Sequence, residues 1–404
     1  MTVAADPAPV AMLAHSYYDE DPRVRREADA LVAAERPVDV FALRRPGDAA
    51  RATVGGVSVH RLDVQRHQGA PLATYVVEYL DFFVRASLAV SAAHRHRRYA
   101  LAQVHTLPDF LVYAAAPLKL VGVPVVLDMH EAMPELFRAR FPGLAASRLR
   151  PIVAVQERLS TSFADAVITV TEGVADRLRA RGTPAAKITV IHNTPSARLF
   201  DPAAHAHRAF MSDGRLRLIY AGAVTPTYEL DTAVHALARI RTDRPGLPVQ
   251  LEVFGRGDSV EPLRELSRSL AVDDIVTFHG RIPLEQVPAE IAVSDIGLSP
   301  ARRSEFTDLA LSTKVFEYAA MGKPVVATKL DTPGRYFEPD TVLTYSAGNA
   351  ADLAAKILSL VDDPAARDER VRRTAARVDA LSWERESERY VLLIEGLIAK
   401  PGRA

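Results

Sequence analysis

One change of hydrophobic period constrains this chain more than anything else in it, because it recurs along almost the whole length. Runs of four to six apolar residues, the signature of strands buried on both faces, alternate with segments whose apolar positions return every three or four residues. Strands that alternate with helices in this way form parallel sheets, since parallel neighbours must be joined by a crossover. Val10–Ala14 reads as a first strand, Arg23–Ala34 as a helix and Val38–Leu43 as a second strand. A long amphipathic helix, Leu72–His96, leads to strand Ala102–His105, helix Pro108–Leu120 and strand Pro124–Asp128. Helix Arg150–Phe163, strand Ala166–Val170, helix Gly173–Arg181 and strand Ile188–Ile191 complete a first series.

Irregular sequence from Asn193 to Arg215, with Asp201-Pro202 and several histidines, reads as a linker. A second series then begins: strand Leu216–Tyr220, helix Asp231–Thr242, strand Val249–Phe254 and helix Val260–Leu270. Strand Ile275–His279, helix Leu284–Ser294, strand Ile296–Ser299, helix Ser312–Met321 and strand Pro324–Ala327 follow. Two such series in 404 residues imply an α/β protein of two Rossmann-like, doubly wound domains facing each other across a cleft. The expected N-terminal domain covers 1–200 and the C-terminal domain 213–382. Ligands of such sheets sit beyond the carboxyl ends of the strands, so loops there are the default site.

Composition removes several classes of function. Basic and acidic residues balance at 50 each, which argues against broad nucleic-acid binding. The absence of cysteine excludes disulfides, thiolate chemistry and Cys-ligated metal. Of the basic residues 43 are arginine, a bias attributed to the genome rather than to a nucleic-acid surface. The opening MTVAADPAPVAML has no basic n-region, and the greasiest stretches, Pro71–Ala93 and Leu111–Leu127, carry charges or prolines. The expectation is a cytoplasmic protein, with at most a peripheral attachment to the inner face of a membrane.

The most informative segment runs Ser312-Thr313-Lys314-Val315-Phe316-Glu317 and on to Gly322-Lys323-Pro324-Val325-Val326. Ser312 can cap a helix whose first turn then offers free N–H groups and positive dipole character, a ready phosphate site. Lys314 adds a full charge in that turn. Glu317, three residues on, faces the same side and can accept two sugar hydroxyls. By itself this is more often an exposed helix start with a Lys–Glu pair. The Gly-Lys-Pro turn straight into a buried strand favours the functional reading.

That block is similar to the donor-binding segment of glycosyltransferase family 4, of the GT-B fold. Asp21-Pro22-Arg23-Val24-Arg25-Arg26-Glu27-Ala28, Ala164–Val170, Phe200-Asp201-Pro202 and Tyr220-Ala221-Gly222 agree with the family in order and spacing. Phe254-Gly255-Arg256-Gly257, His279–Pro283 and Leu381-Ser382-Trp383-Glu384 do as well. The resemblance implies a retaining transferase that moves a sugar from a nucleoside-diphosphate donor, UDP- or GDP-linked, to an acceptor hydroxyl without a metal. It also implies that a C-terminal helix, 383–404, packs back toward the N-terminal domain. Glu317 resembles the second glutamate of the family's Glu-x7-Glu motif and would hold the ribose. Lys314 with Ser312 and Thr313 would take the diphosphate. Arg256 and Ile282 fall where loops line the nucleotide pocket, and Gly222, Ala223 and Val224 form the loop after the first C-domain strand. His130 matches the histidine that reaches the transferred sugar. Catalytic roles are therefore expected for His130, Lys314 and Glu317.

Two departures stand out. The motif's first glutamate falls at Leu309, with Asp308 or Glu305 as substitutes from the same loop. The Arg and Lys that usually follow the first C-domain strand fall at Ala223 and Tyr228, so Lys314, Arg302, Arg303 or Arg256 must replace them. A catalytically degenerate nucleotide-sugar-binding or scaffold protein, and a sugar-nucleotide epimerase, are the alternatives.

The loop after the first strand, His15-Ser16-Tyr17-Tyr18-Asp19-Glu20-Asp21, carries tyrosines and acids suited to a polyhydroxylated acceptor. Tyr17, Tyr18, Asp19, Arg23 and His105 are the expected acceptor residues, a glycan, glycolipid or small natural product being the acceptor. The equal alternative is that Asp21-Pro22 simply starts a helix. Asp19-Glu20-Asp21 is the nearest approach to a metal motif, and no metal site is expected. The cluster His94-Arg95-His96-Arg97-Arg98 reads as a helix C-terminus complementing the dipole, with contact to an anionic membrane as the lesser reading.

Overall fold

The computed structural model describes residues 7–67, 72–140 and 143–400. Residues 1–6 of the opening segment lie outside them. The chain forms two compact units, one of Met1–His192 with Glu386–Ala404 and one of Asn193–Arg385.

The first unit is built on an eight-stranded sheet: β1 Val10–Leu13, β2 Val38–Leu43, β3 Arg51–Val54, β4 Val57–Leu62, β5 Leu101–His105, β6 Val125–Met129, β7 Ala166–Thr169 and β8 Ile188–Val190. Its order is β3-β4-β2-β1-β5-β6-β7-β8, parallel except for β3 against β4. Every residue of β1, β2, β5, β6 and β7 is buried, which is why their sequences read as unbroken apolar runs. The β3–β4 hairpin escapes the sequence reading. As an edge strand β3 alternates between exposed and half-buried, and its turn residues Gly55 and Gly56 take φ of 58° and 86°.

Pro22–Ala33 is a helix with proline at its first turn, and the Asp21 carboxylate accepts the Arg23 N–H at 3.2 Å. The helix-start reading of Asp21-Pro22 therefore holds. Leu72–Arg97 is a single helix, and its Arg97 is bound to the buried Asp39 of β2 at 2.8 and 2.9 Å. Tyr99 donates to the same carboxylate at 2.7 Å. One arginine of the basic cluster is thus a structural tie to the sheet. The last helix, Trp383–Ile398, contributes Tyr390, whose hydroxyl donates to Gln103 of β5 at 2.7 Å, and Glu395, paired with Arg36.

Prolines move some helix boundaries. The helix expected over Pro108–Leu120 is a 3₁₀ turn, Asp109–Ala115, followed by Ala116–Leu120 with Pro117 in its first turn. Leu284–Ser294 divides likewise into Leu284–Gln286 and Val287–Ala292 around Pro288. The helix expected from Arg150 begins at Leu144 and carries Pro151 inside it, the loss of one donor not sufficing to end it. Met133–Arg140 is a further helix without a counterpart in the sequence reading.

The second unit carries β9 Leu216–Ala221, β10 Val249–Phe254, β11 Val276–Gly280, β12 Ile296–Ser299, β13 Val325–Thr328 and β14 Leu343–Tyr345. All pairs are parallel, in the order β11-β10-β9-β12-β13-β14. Strand order reverses between β9 and β12, the switch point at which such sheets leave a crevice. Alternate residues of β9 feed the two faces: Leu216, Leu218 and Tyr220 join one apolar cluster, Ile219 and Ala221 the other. Helices Ala350–Asp362 and Pro364–Asp379, capped by Asn349 and Asp363, close the unit. Among the described residues no helix is long and apolar enough to cross a membrane.

Candidate functional site

In the second unit the loops after β9 and β10 are nested backbone to backbone. Gly222 N–H donates to Phe254 O at 2.8 Å, Val224 N–H to Arg256 O at 3.0 Å, and Ser259 N–H back to Val224 O at 3.1 Å. A Cβ on Gly255 would run into the Gly222 carbonyl, and one on Gly257 into that of Val224. These glycines are what allow the loops to pack into a rigid ledge at the strand ends. The Ala223 N–H, between two inward-bonded neighbours, makes no hydrogen bond among the described residues.

Helix Thr313–Ala320 starts beside this ledge. Ser312 occupies the N-cap position with extended backbone, φ −69° and ψ 122°, but its side chain does not cap. Its hydroxyl instead accepts from Ser299 Oγ at 3.0 Å, leaving the N–H groups of the first turn without a side-chain partner. Lys314 is only 7 % exposed, and no carboxylate pairs with it among the described residues. Its ammonium lies over two aromatic rings, 4.1 Å from the centroid of Tyr228 and 5.2 Å from that of Tyr220. The Lys314 side chain also fills the space where a Cβ on Gly222 would stand. Glu317, half-buried, follows one turn later on the same helix.

Of the other cations proposed for the diphosphate, two are committed elsewhere. Arg302 binds Pro226 O at 3.1 Å and Asp231 at 2.9 Å. Arg303 binds Asp308 at 3.1 Å and Asp331 at 2.8 Å. Arg256 is exposed on the ledge and makes no ion pair among the described residues. The Asp308 carboxylate, expected near the donor, is held by Arg303 and by the Asp331 N–H, so it ties the loop rather than replacing the missing glutamate. Leu309 is buried at 9 % exposure. Ile282 is partly buried on the apolar cluster below the β11 loop.

In the first unit the ends of β5 and β6 bring together His105, Asp128 and His130, all buried. His105 Nδ1 lies 2.9 Å and His130 Nε2 3.5 Å from one oxygen of Asp128, and those two ring nitrogens are 3.3 Å apart. Gln103 Nε2 donates to the same oxygen at 3.2 Å and to Glu27 at 2.5 Å. Burial, and then the charge of Asp128, raises Glu27 far above the usual carboxylate range. Burial alone would also raise Asp128, but His130 and the hydrogen bond from His105 hold it below that range. One proton between the two carboxyls therefore sits on Glu27. Burial lowers His130 to about 3 against the pull of Asp128, aided by Arg23 and His105, so the imidazole is neutral at pH 7. His130 Nδ1 and His105 Nε2 make no hydrogen bond among the described residues. The three side chains also present ligand atoms within 4.8 Å of one another, a spacing able to hold a cation, which the acidic triplet at 19–21 does not provide.

Of the acceptor residues expected in and beside the loop after β1, Tyr18 is the one whose burial argues against that role. Tyr18 is 2 % exposed, a core side chain whose ring cannot stack on a ligand. Tyr17 is half-buried under the Arg45 guanidinium, 4.5 Å from its ring centroid. Asp19 is exposed and bound to Arg61 at 3.3 Å. Arg23 pairs with Asp21 at 3.4 Å, and its charge also acts on Glu131 and Asp128, placing it beside the histidine cluster. Burial would raise Asp21, yet Arg23 and then the histidines hold it at about 2. Asp128, Gln103, Glu27 and Tyr390 join the candidate site without having been singled out from the sequence, and Tyr228, noted there only as a missing cation, joins it as a ring. Their one available signal was a polar residue placed inside an otherwise apolar strand, as at Gln103 and Asp128.

Two family descriptions match the chain: "Glycosyl transferase 4-like domain" over residues 21–194 and "Glycosyl transferases group 1" over residues 215–363. The chain is 27 % identical over 385 residues to D-inositol 3-phosphate glycosyltransferase of Arthrobacter sp. (strain FB24), covering 90 % of this chain and 86 % of that protein. It is 25 % identical over 301 residues to alpha-D-kanosaminyltransferase of Streptomyces kanamyceticus, covering 72 % and 75 %. Among solved structures it is similar to sucrose-phosphate synthase from Thermosynechococcus elongatus, with a TM-score of 0.79, 21 % identity and coverage of 97 % and 100 %. HepE of Anabaena in complex with UDP-glucose superposes with a TM-score of 0.71 at 16 % identity, covering 96 % and 99 %.

Proposed function

The chain belongs to glycosyltransferase family 4, of the GT-B fold, and from that premise we propose that it transfers a sugar from a UDP- or GDP-sugar to an acceptor hydroxyl with retention of anomeric configuration. The observation that carries this reading is Lys314: a nearly buried ammonium without a counter-ion among the described residues, at a helix N-terminus beside the switch point of a six-stranded parallel sheet. A buried charge left unpaired by its own chain is stabilised by a ligand of opposite sign, here the donor diphosphate.

The energetic problem of the reaction is parting a diphosphate from an oxocarbenium-like sugar. Lys314, the first-turn N–H groups at Thr313 and Lys314, the Ala223 N–H and Arg256 are the groups this reading assigns to that growing negative charge. Preorganised donors of this kind lower such barriers by several kcal/mol, about 3 for each well-placed group. Glu317 holds the ribose hydroxyls. His130, neutral and beside Asp128, is the side chain this reading assigns to the transferred sugar. Arg23 and His105 line the acceptor side; no step requires a metal.

The acceptor reading extends to a lipid-borne molecule met at a membrane surface. Helix Leu72–Arg97 exposes Val76, Val77, Leu80, Val84 and Leu88, each 46–67 % exposed, along one face. The charges among them, Asp81 and Arg85, neutralise each other at 2.6 Å. Exposed Arg95, His96 and Arg98 lie at its far end. An apolar helix face ending in cations suits an anionic bilayer.

The scaffold alternative draws on the buried Leu309 and the committed Asp308, which leave the first motif position without a carboxylate. Calorimetry with UDP-, GDP-, ADP- and dTDP-sugars, on wild type and Glu317→Ala, decides between them. Tight binding of one donor, lost in the variant, supports the transferase. Uniformly weak binding favours the scaffold. The anomeric configuration of the product, read by NMR, tests retention.

A further inference from the structure

Tyr228 stands where the family places a lysine, yet its ring lies 4.1 Å beneath a lysine supplied from elsewhere, Lys314. Its position is fixed from both sides. Tyr228 N–H donates to Thr225 O at 3.0 Å, Arg302 N–H holds Thr227 O at 2.8 Å, and the neighbouring Glu229 is 1 % exposed. The Glu229 carboxylate accepts from Tyr345 at 2.9 Å, Thr328 at 3.2 Å and the Gly348 N–H at 3.0 Å. Tyr220, the second ring, is fully buried, with its hydroxyl donating to Ala223 O at 2.5 Å. The Tyr228 hydroxyl makes no hydrogen bond among the described residues, so the ring face is what this side chain offers.

A lysine side chain carries large rotamer entropy, and one without a carboxylate partner would ordinarily wander. Here the π faces attract the ammonium without neutralising it. A carboxylate in the same place would hold Lys314 as well, but it would consume the charge and repel a phosphate. We propose that Tyr228 is a positioning residue for the donor diphosphate: its ring, with that of Tyr220, seats Lys314 over the Gly222–Val224 ledge. The cation moved to the helix thereby does the work of the pair missing at Ala223 and Tyr228. The proposal rests on the reading of Lys314 as the diphosphate ligand.

The test is a double-mutant cycle read by calorimetry. Wild type is titrated with UDP, GDP, ADP and dTDP, and the variants with whichever binds tightest and with its monophosphate. Tyr228→Phe keeps the ring face and should bind within about two-fold of wild type. Tyr228→Leu should bind the diphosphate about three- to thirty-fold more weakly, the span of a partly desolvated cation–π contact, with a smaller loss for the monophosphate. In a Lys314→Met background, Tyr228→Leu should add less than about two-fold. A Leu effect that persists in that background, a Phe variant as impaired as Leu, or a Leu variant equal to wild type overturns the seat while leaving the transferase reading intact. A wild type that binds none of the four diphosphates overturns both. Thermal unfolding of each variant separates misfolding from loss of the seat, and Tyr228→Phe, the mildest change, keeps the comparison open if Leu unfolds.

Discussion

The imidazoles of His105 and His130 lie nearly parallel, with centroids 5.5 Å apart and planes inclined by 12°, and both reach one oxygen of Asp128. Asp128 is therefore placed to bias where the proton sits on each ring. His130→Ala should lower kcat by about 10²–10³ while donor affinity stays within a few-fold, because the interaction is made mainly as the sugar departs. Asp128→Asn leaves both rings in place but no longer imposes their tautomers, and should cost about ten-fold or more in kcat. Steady-state kinetics on the two variants checks this. Equal losses in KM and none in kcat would remove His130 from the reaction.

How much of this was readable beforehand depends on where each residue's environment comes from. The strands β1, β2 and β5–β7 are legible because burial on both faces writes itself as a continuous apolar run. The edge strand β3 is not, since one side of it meets solvent and its residues, Arg51-Ala52-Thr53-Val54, carry no such run. The helix start that carries Lys314 and Glu317 was legible from local geometry, and their reading as donor residues came with the family resemblance. The seat at Tyr228 was not, because it depends on residues 86 positions apart meeting at strand ends. Tyr18 failed for the opposite reason: a loop position beside Tyr17 gives no hint that one ring enters the core and the other lies under Arg45.

The two arginine environments around the donor ledge lead to separable phenotypes. Arg256 carries no ion pair among the described residues, so Arg256→Gln should weaken nucleoside-diphosphate binding about ten-fold, as for one charged hydrogen bond, with no change in thermal midpoint. Arg302 ties the Pro226 carbonyl to Asp231. Arg302→Gln should instead loosen the loop that carries Tyr228, lowering affinity together with protection of that loop from hydrogen exchange. Binding titrations paired with exchange measurements distinguish the two. A thermal shift in Arg256→Gln as large as in Arg302→Gln would contradict the assignment.

The apolar face of helix Leu72–Arg97 calls for a sedimentation assay with vesicles of mixed anionic and neutral lipid. The wild type should co-sediment with anionic vesicles and be released as salt is raised, since the cationic end is screened over about 10 Å at 0.1 M. Val77→Ser, Val84→Ser and Leu88→Ser together should abolish pelleting without loss of fold, because all three side chains are exposed. Pelleting that survives the triple variant, or that ignores lipid charge, would assign the attachment elsewhere.

Asp109 makes the folded state sensitive to pH in a direction opposite to that of most carboxylates. It is fully buried and neither oxygen has a hydrogen-bond partner among the described residues. Burial raises it well above the ordinary value, the charge of Glu157 adds to the rise, and Arg181 only partly opposes them. The folded chain therefore keeps this proton at pH values where the unfolded chain, with a value near 3.9, has lost it. Folding then takes up a proton, and this group's contribution, fully present below about pH 4, falls as pH rises toward the folded value, by up to about 1.4 kcal/mol per pH unit. Asp109→Asn keeps the shape and removes the proton uptake. Its stability relative to wild type should accordingly improve as pH rises above about 4, until pH passes the folded value. Urea unfolding of both proteins across that range measures the difference directly. A ΔΔG independent of pH would mean that Asp109 is ionised in the fold, with Arg181 as its counter-charge.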